Sequence, residues 1–442
     1  MSNYTIPTDD LTQELQRIGA LIATGQLPPA AQALTDARKR YGDDARIYML
    51  GSRLAEKAGN ATGALQAAER AQKAAPEWHV ATMELAMLLA RQGKHPQALA
   101  QARKGVRLAP DDLDVVRRAA GIAIQANDLN ATVAWLRKAV SLKPRDRLFR
   151  TLLAKQLLPF GKPEEAFAMY EELVLEQPWE TETLVGRAQA ALALGRLDQA
   201  RQDAEALLQL EPGNTSHQYL LAQARGEQPA TQPEENVKAL FNGFAENFDI
   251  TLWRHLEYRV PQMAAEILLK AHPDRKFNLL DLGCGTGLVG VCLGRIDGFI
   301  IGVDLSEEMI RKAAQHNVYE RFHQVNVLDA LRDTPSDHYE AITCCDVLVY
   351  VGDLSSVVPN ALRILKPGGH FIFSCEAAGE DEPDMILRPT ERYAHKPSAV
   401  RRLCEQAGFS EVIIEDLPSL RKEGGQPLPG FLVTARKESV AS

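Results

Sequence analysis

A glycine-rich turn in the second half of the chain contains the residues best suited to bind a small molecule. The apolar segment 277–282, Phe-Asn-Leu-Leu-Asp-Leu, is typical of a buried strand, and Gly-Cys-Gly-Thr-Gly follows at 283–287. The apolar segment 288–296 then predicts a helix. Glycines permit a tight turn and close approach of a ligand, and a helix N-terminus attracts polar groups, so the arrangement is typical of nucleotide binding. A second predicted strand, 299–303, ends at Asp304, whose carboxylate could accept hydrogen bonds from both ribose hydroxyls of an adenosine.

Two classes of ligand use such a turn, namely dinucleotides and S-adenosylmethionine (SAM). The dinucleotide pattern GxGxxG requires a glycine three places after the second one, and Leu288 occupies that place here. Asp281 precedes the turn, where a carboxylate could face the amino group of a methionine moiety and would repel a pyrophosphate. Asp281, the GxGxG turn and Asp304 together favour SAM.

Predicted strands and helices alternate through the rest of this half. After a helix at 306–317, the strand 322–326 ends at Asn326 and the strand 339–345 is followed by Asp346. The remaining predicted elements are helix 354–365, strand 370–375, helix 398–407 and strands 409–415 and 430–436. Because no helix separates the last two strands, we expect the final strand to run antiparallel.

Four segments of this half resemble the class I SAM-dependent methyltransferases. They are LDLGCGTG (280–287), GVDLSEEM (302–309), LKPGG (365–369) and GFLVTAR (430–436). The resemblance implies a Rossmann-like α/β domain with a seven-stranded sheet whose last strand is antiparallel. It also implies SAM as the cofactor and S-adenosylhomocysteine (SAH) as the product. The resemblance does not identify the methyl acceptor, because one fold hosts many substrates.

The same resemblance implies cofactor-binding roles for individual residues. Those for the methionine part are Asp281, Gly283, Cys284, Gly285 and Gly287. Those for the adenosine part are Asp304, Leu305, Met309, Asn326 and Val327, with Asp346 at the mouth of the site. Three aromatic residues before the first strand either form a lid over the cofactor or pack in the core, namely Phe244, Phe248 and Tyr258.

The candidates for chemistry at the acceptor lie between the fifth predicted strand and the last one. Methyl transfer is an in-line displacement in which the protein mainly positions the reactants, and a base is needed only if the acceptor arrives protonated. His395 is the most base-like candidate, and a structural hydrogen bond is the alternative role for it. Tyr393 is a second candidate, and Arg421 could hold an acidic acceptor. Glu376 and Arg388 lie in the same region.

The first half of the chain repeats with a period of 34 residues. Each period predicts two amphipathic helices, with a turn residue between them, a small residue where the helices approach, and a helix-ending residue near the end. The turn residues are Gly25, Gly59, Gly93, Asn127, Gly161 and Gly195. The small residues are Ala30, Ala64, Ala98, Thr132, Ala166 and Ala200. The ending residues are Gly42, Pro76, Pro110, Pro144, Pro178 and Pro212.

This pattern resembles the tetratricopeptide repeat (TPR) over residues 9–213, as six repeats, with 215–226 as a capping helix. The resemblance implies an α-solenoid whose groove binds a protein or peptide. Four further stretches make the chain similar to a bacterial group of predicted methyltransferases that carry TPR repeats in front. They are FNGFAENFD (241–249), YRVP (258–261), CCDVLVYVGDL (344–354) and RYAHKPSAV (392–400). We therefore predict a TPR domain at 1–226, a linker at 227–236 and a methyltransferase domain at 237–442.

Charge is distributed unevenly along the chain. Residues 1–226 hold 28 Lys/Arg and 26 Asp/Glu, a net charge of +2, whereas residues 227–442 hold 22 and 32, a net charge of −10. The segment 91–155 holds 14 basic and 5 acidic residues. This basic block is either a solvated face or a docking surface for an acidic segment, including another copy of the chain. It lacks interleaved aromatic residues, so we expect no nucleic-acid partner.

Composition excludes several classes of protein. No apolar run approaches 18 residues, and the first ten residues do not have the pattern of a secretory signal, so we expect a cytoplasmic protein without a membrane partner. The six cysteines form no CxxC pair and no cluster with histidine, so we expect neither a disulfide framework nor a metal site.

Three functions remain open at this point. The first is a methyltransferase whose TPR array recruits a protein or peptide acceptor, and it is the one that the six repeats favour. The second is a methyltransferase of a small molecule, with the array used for oligomerisation or tethering. The third is an interaction protein that binds SAM without turnover, which the intact cofactor motifs disfavour.

Overall fold

The computed structural model describes residues 10–244, 258–388, 390–423 and 426–439. The chain divides into two compact units, Met1–Arg196 and Leu197–Ser442. Each unit has hydrophobic clusters of its own. No helix in these ranges is both long and apolar enough to cross a membrane.

The described part of the first unit consists of helices that pack against their neighbours in sequence. Helices α1 to α11 are Asp10–Ala23, Leu27–Tyr41, Ala45–Lys57, Ala61–Ala74, His79–Arg91, His95–Leu108, Leu113–Gln125, Leu129–Leu142, Arg147–Leu157, Pro163–Glu176 and Thr181–Ala193. These are the predicted helix pairs, so the TPR architecture is confirmed.

The repeating columns explain why each pair forms. Gly25 between α1 and α2 has φ +78°, and Asn127 between α7 and α8 has φ +53°, a left-handed conformation that these two residue types adopt most readily. Ala64 is fully buried, and Thr132, which replaces alanine in the fourth repeat, is 2% exposed. Small residues at this column let the two helices of a pair approach closely.

The basic block of 91–155 is largely ion-paired within the first unit. Nine of its 14 basic residues are ion-paired, in the pairs Arg91–Glu56, Arg103–Asp128, Arg117–Asp114, Arg118–Asp114, Arg137–Glu165, Lys138–Asp111, Arg147–Glu180, Arg150–Glu176 and Lys155–Glu182. Because nearby carboxylates balance these cations, the block presents a weaker field to an acidic partner than its sequence count indicates.

The second unit begins with helices and continues as an α/β domain. Helices α12 to α20 are Leu197–Leu210, Thr215–Ala224, Glu234–Phe244, Val260–Ala271, Leu288–Leu293, Glu307–Ala314, Val327–Asp333, Val357–Ile364 and Pro397–Ala407. Strands β1 to β9 are Leu279–Leu282, Ile300–Val303, Arg321–His323, Tyr339–Cys344, Leu365–Ala377, Met385–Leu387, Tyr393–His395, Phe409–Glu423 and Gln426–Lys437.

These strands form one twisted sheet with both faces covered. The order is β3-β2-β1-β4-β5, with parallel pairing throughout, and β9 pairs antiparallel with both β5 and β8. Neighbouring residues along β1 lie in different clusters, since Leu279 packs in one and Leu280 in the other. Alternate side chains point to opposite faces of a strand, so both faces of this sheet are buried.

The predicted α/β architecture and antiparallel last strand are confirmed, but the described residues form a sheet of nine strands where seven were predicted. The two additional strands are β6 and β7, an antiparallel hairpin whose β7 pairs with the carboxyl end of β5. Each has only three residues, which is too short for periodicity to indicate a strand.

Helices α12 and α13, which the sequence assigned to the TPR domain, lie in the second unit. The segment predicted as a linker makes specific contacts there. The backbone carbonyl of Ala230 accepts hydrogen bonds from the amides of Gly352 and Asp353, and the Tyr393 hydroxyl donates to the carbonyl of Pro229 at 2.7 Å. Thr231 bridges to Val351. This stretch therefore packs on the α/β domain.

Candidate functional site

A cavity in the second unit is lined by residues that directly follow parallel strands. Ligands of open α/β sheets bind at this edge, because the loops there converge on one crevice. The lining residues at the carboxyl ends of strands or in the loops after them are Asp281, Gly283, Cys284, Gly285, Thr286, Asp304, Leu305, Asn326, Val327, Cys345, Asp346 and Val347. Further walls come from Thr231, Gln232, Glu234, Val237, Phe241, Tyr258, Tyr350, Arg392 and Arg421.

The predicted glycine turn forms one wall of the cavity. Gly283, Gly285 and Gly287 have φ of +66°, +53° and +87°, a region that strains other residues. A Cβ added to Gly283 would lie 2.2 Å from Cγ2 of Val347, so glycine is required for space as well as for conformation. The buried Cys284 fixes the turn to the sheet, because its backbone amide donates to the carbonyl of Val303 at 2.9 Å.

We expect Gly283→Ala to weaken SAH binding about 10- to 100-fold, because left-handed strain of about 1–2 kcal/mol adds to a displacement of Val347 into the cavity. The matched control is Gly294→Ala. Gly294 has φ +65° but no atom within 4 Å of an added Cβ, so this change adds strain without altering the cavity. Titration calorimetry with SAH compares the two variants. Equal affinity of both variants and the wild type would contradict the assignment of the turn.

Asp281 lies at the end of β1 with its side chain 1% exposed and facing the cavity. Thr343 Oγ1 donates to its Oδ1 at 2.7 Å, and the Tyr319 hydroxyl donates to its Oδ2 at 2.6 Å. Burial, reinforced by the negative charge of Asp304, raises the pKa of Asp281 to about 6, although both hydrogen bonds oppose this shift. A ligand ammonium would stabilise the ionised form.

Asp304 follows β2 and is 9% exposed. Its Oδ2 accepts from the amide of Gly285 and its Oδ1 accepts from the amide of Ser306, both at 2.8 Å. Burial raises the pKa of Asp304, and these amides oppose the rise. The carboxylate is therefore held between the glycine turn and the start of α17, and each oxygen retains a lone pair for a ligand hydroxyl.

Of the residues predicted to bind the adenosine part, most but not all line the cavity. Leu305, Asn326 and Val327 line it, whereas Met309 is fully buried and is not among the lining residues. The Asn326 carboxamide is already bonded, since its Oδ1 accepts from the amide of Leu328 and its Nδ2 donates to Glu234 Oε1, both at 2.8 Å. Asn326 thus caps α18 and links it to α14.

The residues present fit SAM. The glycine turn leaves space that a Cβ would fill, and two buried carboxylates, Asp281 and Asp304, face the cavity. The charged neighbour that shifts the pKa of Asp281 is another anion, so a cationic ligand group is the natural partner. A ligand with an ammonium group and two vicinal hydroxyls satisfies both carboxylates.

Three lining residues of the cavity, Asp346, Arg392 and Arg421, belong to an ion-pair network. Arg421 is 2% exposed and donates to Asp346 Oδ1 through Nη1 and to Glu376 Oε1 through Nη2. Arg392 Nη1 lies 4.0 Å from the same Glu376 oxygen. Burial raises the pKa of Glu376, and the two arginines oppose the rise. The Tyr258 hydroxyl is buried without a hydrogen-bond partner among the described residues.

The structure brings Arg421 to the cavity but not His395 or Tyr393, the other two catalytic candidates. His395 is buried in β7, its Nε2 lies 2.8 Å from the carbonyl of Gly352, and burial lowers its pKa. Tyr393 is fully buried with its hydroxyl on Pro229. Because β7 pairs with β5 and β6, both side chains are buried in the core, where they pack and form hydrogen bonds.

The predicted lid is only partly described. Tyr258 lines the cavity, whereas the side chain of Phe244 and all of Phe248 lie outside the described residues. Arg388 pairs with Glu382 and is not among the lining residues.

Sequence reasoning did not identify three contributors, namely Tyr319, Thr343 and Arg392. Tyr319 and Thr343 are 38 and 62 residues from Asp281, whose carboxylate they bind. Pairing of β1 with β4 brings Thr343 opposite Asp281, and no local pattern indicates it. For Arg392, its place within the RYAHKPSAV stretch was the available signal.

Comparison with known proteins finds family matches in both halves of the chain. A family described as "Methyltransferase domain" matches residues 280–373, and two tetratricopeptide repeat families match residues 157–224 and residues 16–77 and 83–147. The chain is 35% identical over 100 residues to a ubiquinone biosynthesis O-methyltransferase of Alkalilimnicola ehrlichii, covering 22% of this chain and 40% of that protein.

Two further similarities cover more of the compared protein. A ubiquinone biosynthesis O-methyltransferase of Idiomarina loihiensis is 26% identical over 191 residues, covering 39% of this chain and 76% of that protein. The structure of magnesium protoporphyrin IX methyltransferase from Synechocystis, with bound SAH, is 19% identical with a TM-score of 0.37, covering 46% of this chain and 99% of that chain. The family matches and the methyltransferase relatives show that the protein carries tetratricopeptide repeats followed by a SAM-dependent methyltransferase domain.

Proposed function

We propose that the protein transfers the methyl group of SAM to an oxygen atom of a small molecule. The observation that carries this proposal is that one cavity contains both the cofactor-binding turn and the Asp346–Arg421 ion pair, whose arginine is buried. Two of the side chains that we place near the acceptor, Tyr258 and Arg421, are buried, which suits a small molecule better than an exposed protein segment.

The cofactor supplies an electrophilic methyl group when it is bound. Asp281 and Asp304 hold it, while Tyr258, Arg421 and Asp346 line the space available to the acceptor. A hydroxyl acceptor loses its proton during transfer, and Asp346 is the carboxylate that lines this end of the cavity. Arg421 positions Asp346 through a direct hydrogen bond. The relatives named as O-methyltransferases support oxygen as the acceptor atom.

The repeats then serve assembly or tethering, since their basic block is largely ion-paired. A second candidate is a protein or peptide acceptor recruited by the repeats. It is supported by the exposed apolar side chains of Leu175 and Trp179 in the first unit, which are 76% and 66% exposed. Apolar side chains exposed to this degree, when they lie together, are typical of protein-binding surfaces.

Incubation of a cell lysate with methyl-labelled SAM tests these alternatives. The full-length protein and a fragment of residues 197–442 are compared, and the label is counted separately in protein and small-molecule fractions. Our proposal predicts label in small molecules with equal rates for both proteins. Label in a protein fraction that requires residues 1–196 would instead support the second candidate.

A further inference from the structure

Tyr319 lies in the connection between α17 and β3 and contacts two parts of the cofactor site at once. Its hydroxyl donates to Asp281 Oδ2 at 2.6 Å. The same oxygen accepts from the backbone amide of Gly290, in the first turn of α16, at 3.2 Å. Because a phenol has a single proton and its lone pair already accepts from Gly290, that proton is directed to Asp281.

The neighbouring sequence provides space for this tyrosine ring. An added Cβ on Gly290 would lie 2.6 Å from Cε2 of Tyr319, and one on Gly287 would lie 3.0 Å from the same atom. On its other side the ring packs against Phe322 with centroids 4.9 Å apart. Two glycines and an aromatic neighbour therefore fix the ring in a position from which its hydroxyl reaches Asp281.

Few ionisable groups lie close enough to Asp281 to influence whether its carboxyl is charged. The titratable groups around it are Asp304, Cys284, Cys344, Cys345, Tyr258 and Tyr319. Burial raises the pKa of each of these thiols and phenols, so they stay neutral below pH 8. Burial also raises the pKa of Asp281, and the hydroxyls of Tyr319 and Thr343 oppose that effect.

We propose that Tyr319 is a positioning residue for the cofactor, whose hydroxyl keeps the Asp281 carboxylate ionised and oriented towards the ammonium group of SAM. This inference rests on the cofactor site assigned above. It follows that affinity for the cofactor falls as pH decreases through the pKa of Asp281, because the protonated acid no longer attracts an ammonium group. Loss of the Tyr319 hydroxyl moves this fall to higher pH.

The test is calorimetric titration of the full-length protein with SAH between pH 5 and pH 8. For the wild type, we expect affinity to decrease below about pH 6. For Tyr319→Phe, loss of a hydrogen bond to a charged group moves the midpoint up by about one pH unit or more. Affinity then falls about 3- to 10-fold at pH 6.5 and stays within about twofold of wild type at pH 8.

Two controls separate this role from packing. Phe322→Leu loosens contact with the ring but keeps the hydroxyl, so its pH midpoint should match the wild type. Asp281→Asn should bind weakly and lose the part of the pH dependence that has its midpoint near pH 6, and it provides a second test if Tyr319→Phe does not fold.

The outcomes distinguish the inference from its premise. An unchanged midpoint in Tyr319→Phe, an equal loss at every pH, or a wild-type pH profile in Asp281→Asn overturns the role of Tyr319. Absence of SAH binding to the wild-type protein instead overturns the cofactor assignment itself.

Discussion

Replacing Arg421 with alanine should lower the free energy of unfolding of the methyltransferase domain by about 3–5 kcal/mol. The change removes the cation that Asp346 and Glu376 share, and both carboxylates lie at buried or partly buried positions. Removing one partner of a buried ion pair leaves a charge without compensation, which costs more than the intact pair contributes. We expect a loss of this size because the Arg421 side chain is only 2% exposed. Water therefore cannot take over its hydrogen bonds to the two carboxylates.

Urea unfolding followed by hydrogen exchange of peptides from β5 and β9 measures this change. The control is Arg402→Ala, because the Arg402–Asp384 pair is exposed on both sides, 54% and 62%, and such pairs contribute about 0–1 kcal/mol. A loss for Arg421→Ala no larger than for Arg402→Ala would show that the network is not buried in solution.

If Asp346 is the base that we propose, replacing it with asparagine should reduce the rate of methyl transfer about 10²- to 10⁴-fold, because the acceptor proton then has no base. Asparagine retains the shape of the side chain and one oxygen for Arg421. SAH affinity should stay within a few-fold of wild type, since Asp281 and Asp304 are the carboxylates that we place on the ammonium group and the ribose hydroxyls, whereas Asp346 was predicted only at the mouth of the site.

The assay follows transfer of labelled methyl into the acceptor fraction at saturating SAM, with SAH affinity measured on the same preparation. Asp353→Asn is the matched control, an exposed aspartate that caps a turn through Ser355. If Asp346→Asn transferred methyl at the wild-type rate, Asp346 would not be the base. An acceptor that arrives already deprotonated would then be favoured.

The repeat region was predictable because its signals are local. A left-handed turn limits the residue types allowed at the turn positions, such as Gly25 and Asn127. Close contact between helices limits the side-chain size at the buried positions, such as Ala64 and Thr132, and both kinds of position recur at a fixed spacing. The glycine turn was predictable for the same reason. The left-handed conformation of the turn allows few residue types other than glycine, and the apolar strand pattern directly before it shows where in the sequence the turn lies.

Contacts between distant segments could not be predicted from the sequence. Tyr319 reaches Asp281 across 38 positions, and the arginine network joins Asp346 to Arg421 across 75. His395 appeared base-like because imidazole titrates near neutral pH, but burial in β7 depends on pairing with β5. The repeat pattern also extends through α12 and α13, which a tetratricopeptide repeat family matches, although both helices fall within the second compact unit.

Titration of the full-length protein with SAH and, separately, with NADH tests the central claim most directly. Both ligands contain adenosine, but only SAH carries an ammonium group for Asp281, whereas NADH places a pyrophosphate near that carboxylate. The account predicts that one SAH binds per chain and that NADH shows no binding under the same conditions. Tight binding of NADH together with no binding of SAH would contradict it.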